Sequence, residues 1–161
     1  MTFVGTFSAM RTGIAAGVML LAASAGGIAW AGSVSVPADQ LIETRQSGQD
    51  VVYGLISTMK AAVESKGDVK GFADGAGAMS RWFANFASLF PPGTETGHGT
   101  KVKPEAFSDA AGFAKAAADA SAAAKALSDT AKTGDQAAFA EKFKALGGTC
   151  GACHKAYKEK T

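Results

Sequence analysis

Residues 135–157 read DQAAFAEKFKALGGTCGACHKAY, and their spacing is typical of one amphipathic helix. Asp135 follows a Thr-Gly break and is a favourable N-cap. The apolar residues recur in alternating steps of four and three, which places them on one face: Phe139, Phe143, Leu146, Cys150, Cys153 and Tyr157. A helix with a continuous apolar stripe must bury that stripe against another element. The stretch therefore predicts a helix that packs against other helices.

Two helices are predicted earlier in the chain. Pro37 suits the first turn of a helix, and from Leu41 apolar residues recur at helical spacing until Lys66-Gly67 ends the run. Asp68 is a good N-cap for a second helix over residues 69–89. Glycine weakens helices, so the first half of this one is expected to be irregular. The glycines concerned are Gly71, Gly75 and Gly77.

A proline-rich break separates these helices from a third. Phe90-Pro91-Pro92-Gly93 ends the second helix, and residues 91–103 are expected to form a loop. Pro104 starts an alanine-dominated helix that reaches about Thr130. No segment alternates with the period of two that marks a β-strand. Four helices with mostly short connections predict an all-α fold, an antiparallel four-helix bundle.

The first 31 residues have the pattern of a secretory signal peptide. Arg11 supplies a positive charge, Ile14–Ala23 is an apolar core, and Ala29-Trp30-Ala31 matches the small-x-small cleavage signal. Cleavage after Ala31 leaves residues 32–161 as one domain. Such a domain is expected in the periplasm.

Two alternatives to this cleavage stay open. A second possible cut follows Ala23-Ser24-Ala25. An uncleaved membrane anchor would use residues 13–31, which are long enough to span a bilayer but are diluted by Gly and Ser.

The charge balance argues against a nucleic-acid partner. The chain has 16 basic and 14 acidic residues, and only Arg11 of these lies in the first 31 positions. The remainder therefore has a net charge near +1, with its lysines scattered rather than gathered into a stripe. Nucleic-acid-binding domains carry a concentrated basic surface.

Cys150-Gly151-Ala152-Cys153-His154 is a C-x-x-C-H motif, the signature of covalent c-type haem attachment. Thiols at i and i+3 lie on one helical face and match the two vinyl groups along one edge of a haem. His154 follows at once and offers a neutral imidazole to the iron. The small residues between the cysteines let the ring approach the backbone. The motif predicts one haem c, held by Cys150 and Cys153, with His154 as the metal ligand.

Other interpretations of the two cysteines fit less well. A thioredoxin-like redox pair requires a βαβ context, and no strand is predicted. A closed zinc site requires four ligands, and His98 is the only spare histidine. A disulfide between helical residues three apart would close a very small loop and stabilise little. Two inert, buried cysteines remain possible but leave the adjacent histidine unexplained.

The first helix supplies a second candidate group. Arg45 and Gln49 are spaced i and i+4, on the stripe that includes Val52, Ile56 and Met59. Polar residues on a core face are unfavourable unless they have a partner. A haem offers propionates to Arg45 and an open iron face to Gln49. The alternative is that Arg45 lies near the end of the bundle and extends to water.

The chain resembles the cytochrome c′ family, the class II cytochromes c, over essentially all of residues 33–161. Four segments carry the resemblance. They are Arg45-Gln46 in the first helix, Phe90-Pro91-Pro92-Gly93-Thr94-Glu95, Lys103-Pro104-Glu105, and Cys150-Gly151-Ala152-Cys153-His154-Lys155-Ala156-Tyr157. The last is the most specific, because class I cytochromes c carry their motif near the N-terminus.

The resemblance implies an antiparallel bundle, often a homodimer, with a five-coordinate high-spin haem that binds nitric oxide and carbon monoxide. Family members are also discussed as electron carriers. By matching position, Arg45 and Gln46 would lie near the propionates, and Gln49 would lie on the distal side of the iron. The family usually has an apolar or aromatic residue at that distal position. Lys158 is a second departure, since the family often has arginine there.

These observations favour a periplasmic mono-haem cytochrome for electron transfer, diatomic gas binding, or both, at a five-coordinate iron. The alternative is a low-spin, six-coordinate class II cytochrome that only carries electrons. An enzyme is not expected, because a peroxidase would use a distal acid–base residue. His98 is the only candidate and falls in a Gly-rich loop. The sequence identifies no redox partner protein.

Overall fold

The structure is a computed structural model that describes residues 35–160. The expected signal peptide, both cleavage sites and the alternative anchor fall at residues 1–31, outside the described residues. The helices are, in chain order, α1 (Ala38–Ser65), α2 (Ala73–Phe86), α3 (Glu105–Ser108), α4 (Ala110–Thr133) and α5 (Gln136–Tyr157). Single 3₁₀ turns, Lys70–Phe72 and Ala87–Leu89, flank α2. Across residues 35–160 there is no strand, only an isolated bridge between Val102 and Lys158.

The long helices run antiparallel to their neighbours. Ser121 in α4 donates from its hydroxyl to the carbonyl of Ser80 in α2 at 2.8 Å. Seven residues later, Ser128 donates to the carbonyl of Ala73 at 2.7 Å, so the numbering rises in α4 as it falls in α2. The expected all-α, four-helix arrangement is confirmed. Within the described range, no helix is long and apolar enough to span a membrane.

The third predicted helix is divided in two, which the sequence analysis did not anticipate. The chain from Pro104 makes the single turn α3, and Asp109 then leaves the helical region at φ −113° and ψ 55°. Its carboxylate accepts the backbone N–H of Gly112 at 3.0 Å, which makes Asp109 the N-cap of α4. The prediction of one helix from Pro104 was wrong because an internal aspartate can satisfy a helix end by itself.

The second predicted helix is regular over most of its length. Its expected irregularity is limited to the 3₁₀ turn at Lys70–Phe72, where Asp68 accepts the N–H of Lys70 at 3.0 Å. Gly75 and Gly77 lie within the regular helix α2. A Cβ at Gly75 would be 3.1 Å from Leu55, and one at Gly77 would be 3.3 Å from the hydroxyl of Ser128. These glycines therefore allow neighbouring helices to approach α2.

The core combines small side chains from α4 with larger ones from α2 and α5. Alanine dominates the buried face of α4, which lets α2 and α5 pack close to it. The largest fully buried side chains are Phe139, Ile42, Met59, Met79, Leu127, Leu146, Val69 and Thr94. Leu41 was expected on the inward stripe of α1, but it is only half-buried, and its neighbour Ile42 is fully buried instead.

Gly48 brings α1 against the indole ring of Trp82 in α2. A Cβ at Gly48 would overlap carbons of that ring, so no larger residue fits there without moving Trp82. Gly54, six residues further along α1, has nothing within 4 Å of such a Cβ. Gly48 is therefore required for the close packing of α1 on α2, whereas Gly54 is not required for any contact of this kind.

Arg45 fastens the loop after α2 to α1. The residue is 3% exposed, and its guanidinium lies 4.2 Å above the ring centre of Phe90. One nitrogen donates to the carbonyl of Leu89 (3.3 Å) and the hydroxyl of Thr94 (3.0 Å). The other donates to the carbonyl of Thr94 (2.6 Å) and the hydroxyl of Thr100 (3.0 Å). Burial lowers the pKa of Arg45, and Glu95 opposes this by favouring the cation.

We predict opposite effects on stability for alanine at the two glycines of α1. Gly54→Ala should raise the free energy of unfolding by up to about 1 kcal/mol, since alanine is the better helix former. Gly48→Ala should lower it by about 1–3 kcal/mol, because Trp82 must be displaced. Urea unfolding of the two holoproteins, followed by circular dichroism, measures both. Equal stability of the two variants would contradict the close packing of Trp82 on Gly48.

We also predict that Arg45→Met lowers the free energy of unfolding by about 3 kcal/mol, because it leaves the buried carbonyl of Thr94 and the half-buried carbonyl of Leu89 without their donor. Arg81→Met is the matched control, since Arg81 is exposed, and it should stay within about 0.5 kcal/mol of the wild type. Urea unfolding tests both variants. A loss no larger than that of the control would mean that the Arg45 contacts add nothing to stability.

Candidate functional site

The C-x-x-C-H motif occupies the last two turns of α5. Cys150 and Cys153 are free thiols, both half-buried, and both pack against the apolar core. Burial raises the pKa of each thiol. A redox-active cysteine has a lowered pKa instead, so the two thiols do not resemble a thioredoxin-type pair. In the part of the chain that the structure describes, no three His, Cys, Asp or Glu side chains cluster as metal ligands would.

His154 lies beside the two thiols with the properties of a neutral ligand. It is exposed as a whole residue, while partial burial of its ring lowers its pKa, with Lys158 as the second cause. Both effects favour the neutral imidazole, which is the form that binds iron. The motif thus brings together two thiols and one neutral imidazole at one end of one helix.

The surface around the motif leaves space for a bulky group. Cys153 opens onto a groove between α4 and α5 whose other lining residues are mostly small: Ala116, Asp119, Ala145, Gly148, Thr149 and Ala152. A Cβ added at Gly147, Gly148 or Gly151 would meet nothing within 4 Å. The two thiols and the adjacent imidazole are the donor set that a covalent haem requires, while this groove borders Cys153 and not Cys150.

The end of α5 is held in place by contacts that the sequence analysis missed. The hydroxyl of Tyr157 donates to Asp109 at 2.8 Å, on the carboxylate that also caps α4. The backbone N–H of Lys103 donates to the carbonyl of Tyr157 at 2.9 Å, and Glu159 donates to the carbonyl of Lys101 at 2.8 Å. An aspartate just before a run of alanines is a sequence signal for a cap, but its tyrosine partner is 48 residues away.

The α1 candidates have different surroundings. Arg45 is buried and does not reach water, and four of its donor contacts go to the loop after α2. Gln46 donates its amide to the carbonyl of His98 at 3.1 Å, so it also binds that loop. Gln49 is half-buried between the buried residues Arg45 and Val52. Of the three candidates, Gln49 is the one that the loop does not hold.

The chain matches a protein family over most of its length. The model of the family described as Cytochrome C′ matches residues 40–158. A cytochrome c′ from Rubrivivax gelatinosus is 41% identical over 121 residues, which covers 74% of this chain and 94% of the relative.

Solved structures agree with this match. A cytochrome c′ from Alcaligenes xylosoxidans, solved as a ferrous variant with bound nitric oxide, is similar at a TM-score of 0.70 and 27% identity, covering 79% of this chain and 99% of that one. Another variant from that organism has bound carbon monoxide. A cytochrome c′ noted for ligand-controlled dimer dissociation has a TM-score of 0.69 at 29% identity, covering 78% and 99% of the two chains. The chain belongs to the cytochrome c′ family, whose cofactor is one covalent haem c per chain.

Proposed function

We propose that this protein is an exported cytochrome c′ that binds a small diatomic gas, nitric oxide or carbon monoxide, at an open coordination position of its haem iron. When bound, the haem supplies an iron that takes up the gas and can change oxidation state. The relatives with bound nitric oxide and carbon monoxide support this proposal. Electron transfer is compatible with the same site, and the proposal includes no catalytic step.

Cys150 and Cys153 are proposed to hold the haem through two thioethers, with His154 as the proximal ligand. Their half-burial against the core is consistent with a covalently held group that completes the bundle interior. The Tyr157–Asp109 hydrogen bond and the pairing of residues 101–103 with 157–159 fix the helix end that carries these ligands. A fixed helix end is what a precise ligand geometry requires.

The open position is supported by the places of the side chains that could bind the iron strongly as a sixth ligand. Beyond the motif, the sulfur and imidazole groups among residues 35–160 are Met59, Met79 and His98. Both methionines are fully buried in the packed core. Met59 lies ten residues after Gln49, about 15 Å along α1. His98 is exposed in the loop after α2, and its backbone carbonyl accepts a hydrogen bond from Gln46. Gln49 itself offers an amide, which is a weak iron ligand, and Met59 on the same helix lies too far away to bind the same iron.

Gln49 is proposed to stand beside the open position. An amide is a poor iron ligand, but its NH₂ is a good hydrogen-bond donor. A bound diatomic can accept such a bond, which would slow its release. The family usually has an apolar or aromatic side chain at the matching position, so this donor is a departure that affects gas affinity.

Export and self-association belong to the proposal as well. Covalent haem attachment takes place outside the cytoplasm, which agrees with the expected cleavage after Ala31. Assembly into a homodimer stays a prediction, supported by two large exposed apolar side chains of α1, Val51 (65% exposed) and Tyr53 (74% exposed). The relative with ligand-controlled dimer dissociation gives it a precedent.

We expect His154→Ala to retain covalent haem but to lose the proximal ligand, so its optical spectrum should change strongly. The double variant Cys150→Ala/Cys153→Ala should yield little folded protein, because the haem binds only the folded state. Lys155→Ala, an exposed neighbour, is the control and should resemble the wild type. Normal yields of a folded, haem-free double variant, or an unchanged His154→Ala spectrum, would refute the assigned roles.

The open-site proposal predicts a mainly high-spin ferric spectrum for the wild type. Gln49→Leu should then speed gas dissociation several-fold, which corresponds to one hydrogen bond of about 0.5–1.5 kcal/mol. Gln40→Leu makes the same change at an exposed position of α1 and should leave the rate unchanged. Stopped-flow measurement of carbon monoxide and nitric oxide release compares the three proteins. A fully low-spin wild-type spectrum would instead favour the electron-carrier alternative.

A further inference from the structure

We propose that the lysines around the C-terminal end of α5 form a docking surface for an acidic redox protein that exchanges electrons with the haem. The inference goes beyond gas binding and does not depend on it. It rests on family membership, which supplies the haem, and on the positions of lysines that the protein leaves without a charged partner.

Folding brings together lysines that are far apart in the sequence. The segment before α3 pairs with the end of α5, because Lys103 donates its N–H to the carbonyl of Tyr157 at 2.9 Å. In the same pairing, Glu159 donates its N–H to the carbonyl of Lys101 at 2.8 Å. Five residues of these two segments are called the lysine surface here: Lys101, Lys103, Lys155, Lys158 and Lys160.

The protein leaves the charges of the lysine surface unpaired. The ion pairs among residues 35–160 lie within α1 and within α4, and none of them includes a lysine of this surface. Lys103 directs its ammonium to the backbone carbonyl of Lys155 at 2.8 Å, which is a neutral group. Lys101, Lys155 and Lys160 are exposed. Their positive charges are therefore available to an external partner.

The positive excess of the chain is concentrated at this surface. Its five lysines face three acidic residues in or next to the same two segments, Glu105, Asp109 and Glu159. The carboxylate of Asp109 already accepts hydrogen bonds from Gly112 and Tyr157. The other residues of the range 35–160 include ten basic and eleven acidic side chains. The lysine surface is thus net positive on a chain whose remainder is slightly negative.

The lysine surface lies next to the haem-attachment motif. Lys155 directly follows His154, and Lys158 comes one helical turn later. Electron transfer between proteins slows steeply with the distance between the redox centres, so a partner must dock near the haem. Redox encounters of this kind are small and are guided by complementary charge. A positive surface at this place therefore suits a partner with a negative surface.

Helix stabilisation alone does not explain the surface. Lysines near a helix C-terminus interact favourably with the helix dipole, and Lys155 lies in the last turn of α5. Lys103 also contributes by donating to a carbonyl of that turn. Lys101 lies outside α5, however, and its side chain is exposed.

An anionic membrane is the competing partner. Proteins that lie on a lipid surface combine basic residues with apolar side chains that enter the interface. The large exposed apolar side chains found in residues 35–160 are Val36, Val51 and Tyr53, which belong to α1 or directly precede it. None of them is part of the lysine surface. This separation of basic and apolar side chains favours a protein partner.

The test measures how ionic strength affects electron transfer, by stopped flow, with probes of opposite charge. Ferricyanide, an anion, and tris(phenanthroline)cobalt(III), a cation, each take one electron from the ferrous haem. Reduced flavodoxin, an acidic flavoprotein, gives one electron to the ferric haem and becomes its semiquinone. The polypeptide after residue 31 is near +1, and two haem propionates make the holoprotein slightly negative. Net charge and the lysine surface therefore predict opposite effects of salt.

Two double variants with the same change of net charge are compared. Lys101→Gln/Lys155→Gln removes two exposed charges from the lysine surface. Lys142→Gln/Lys144→Gln is the matched control, because both residues are exposed on α5 and Lys144 lies ten residues before His154. That is about 15 Å along the helix. At an ionic strength near 0.1 M the Debye length is about 10 Å, so the control charges are largely screened from the motif.

We expect the wild-type rate constants with ferricyanide and flavodoxin to fall as salt is added, and the rate constant with the cobalt complex to rise. The Lys101→Gln/Lys155→Gln variant should react with flavodoxin about three- to tenfold more slowly at 0.1 M, with an unchanged optical spectrum. The control should match the wild type. Gas release and spin state are not measured by these rates, so failure of the gas-binding proposal is a separate result.

Three outcomes would overturn the proposal. A wild-type flavodoxin rate constant that rises with salt, or ignores it, is the first and needs no variant. Equal losses in the two double variants would show that net charge, and not the lysine surface, sets the rate. Wild-type binding to phosphatidylglycerol vesicles that Lys101→Gln/Lys155→Gln abolishes, while its flavodoxin rate is unchanged, would assign the surface to a membrane instead.

Discussion

One face of α5 must serve the core and the cofactor together, and the rest of the bundle is arranged around that constraint. Phe139 and Leu146 are fully buried on this face, and Cys150 and Cys153 continue it towards the C-terminus. A helix fixed by its buried aromatic and aliphatic side chains also fixes the direction of the thiols that follow. The proposed haem-binding residues of this helix therefore share the rigidity of the core, as sites on regular elements generally do.

Two features of α4 fit this arrangement: small side chains on its buried face, and hydrogen bonds at its N-terminus. The buried face of α4 is mostly alanine, so α4 can approach α5 on one side and α2 on the other. At the N-terminus of α4, the carboxylate of Asp109 accepts hydrogen bonds from the backbone of Gly112 and from the hydroxyl of Tyr157 in α5. Gly112 is small for this reason, because a Cβ there would overlap the Asp109 carboxylate and crowd the Tyr157 hydroxyl. One carboxylate thus caps α4 and also binds the C-terminal end of α5.

Capping residues and the spacing of apolar residues predict most of the fold and the haem-attachment motif. They do not predict contacts between residues that are far apart in the sequence. The caps at Asp135 and the end near Lys66 depend on neighbouring residues, and both are present in the structure. The break at Asp109 was missed because alanine propensity outweighed a single capping residue. The role of Arg45 could not be foreseen in full, since its partners lie 44 to 55 residues away in a loop without regular pattern. Polarity on a core face identified Arg45 as unusual but could not identify what it binds.

Two polar groups buried where α1 meets α2 and the loop after it differ in whether the protein provides them with a hydrogen-bond partner. Arg45 finds its acceptors in the loop after α2, so its burial is explained by the fold alone. Trp82, packed against α1 at Gly48, has a buried donor that the described residues leave unpaired. Protein atoms already cover this nitrogen, so the close packing of the indole ring on Gly48 and Phe86 has to offset the cost of leaving the donor unpaired. Arg45 and Trp82 therefore both hold α1 in the bundle, Arg45 through hydrogen bonds that the protein satisfies and Trp82 through packing.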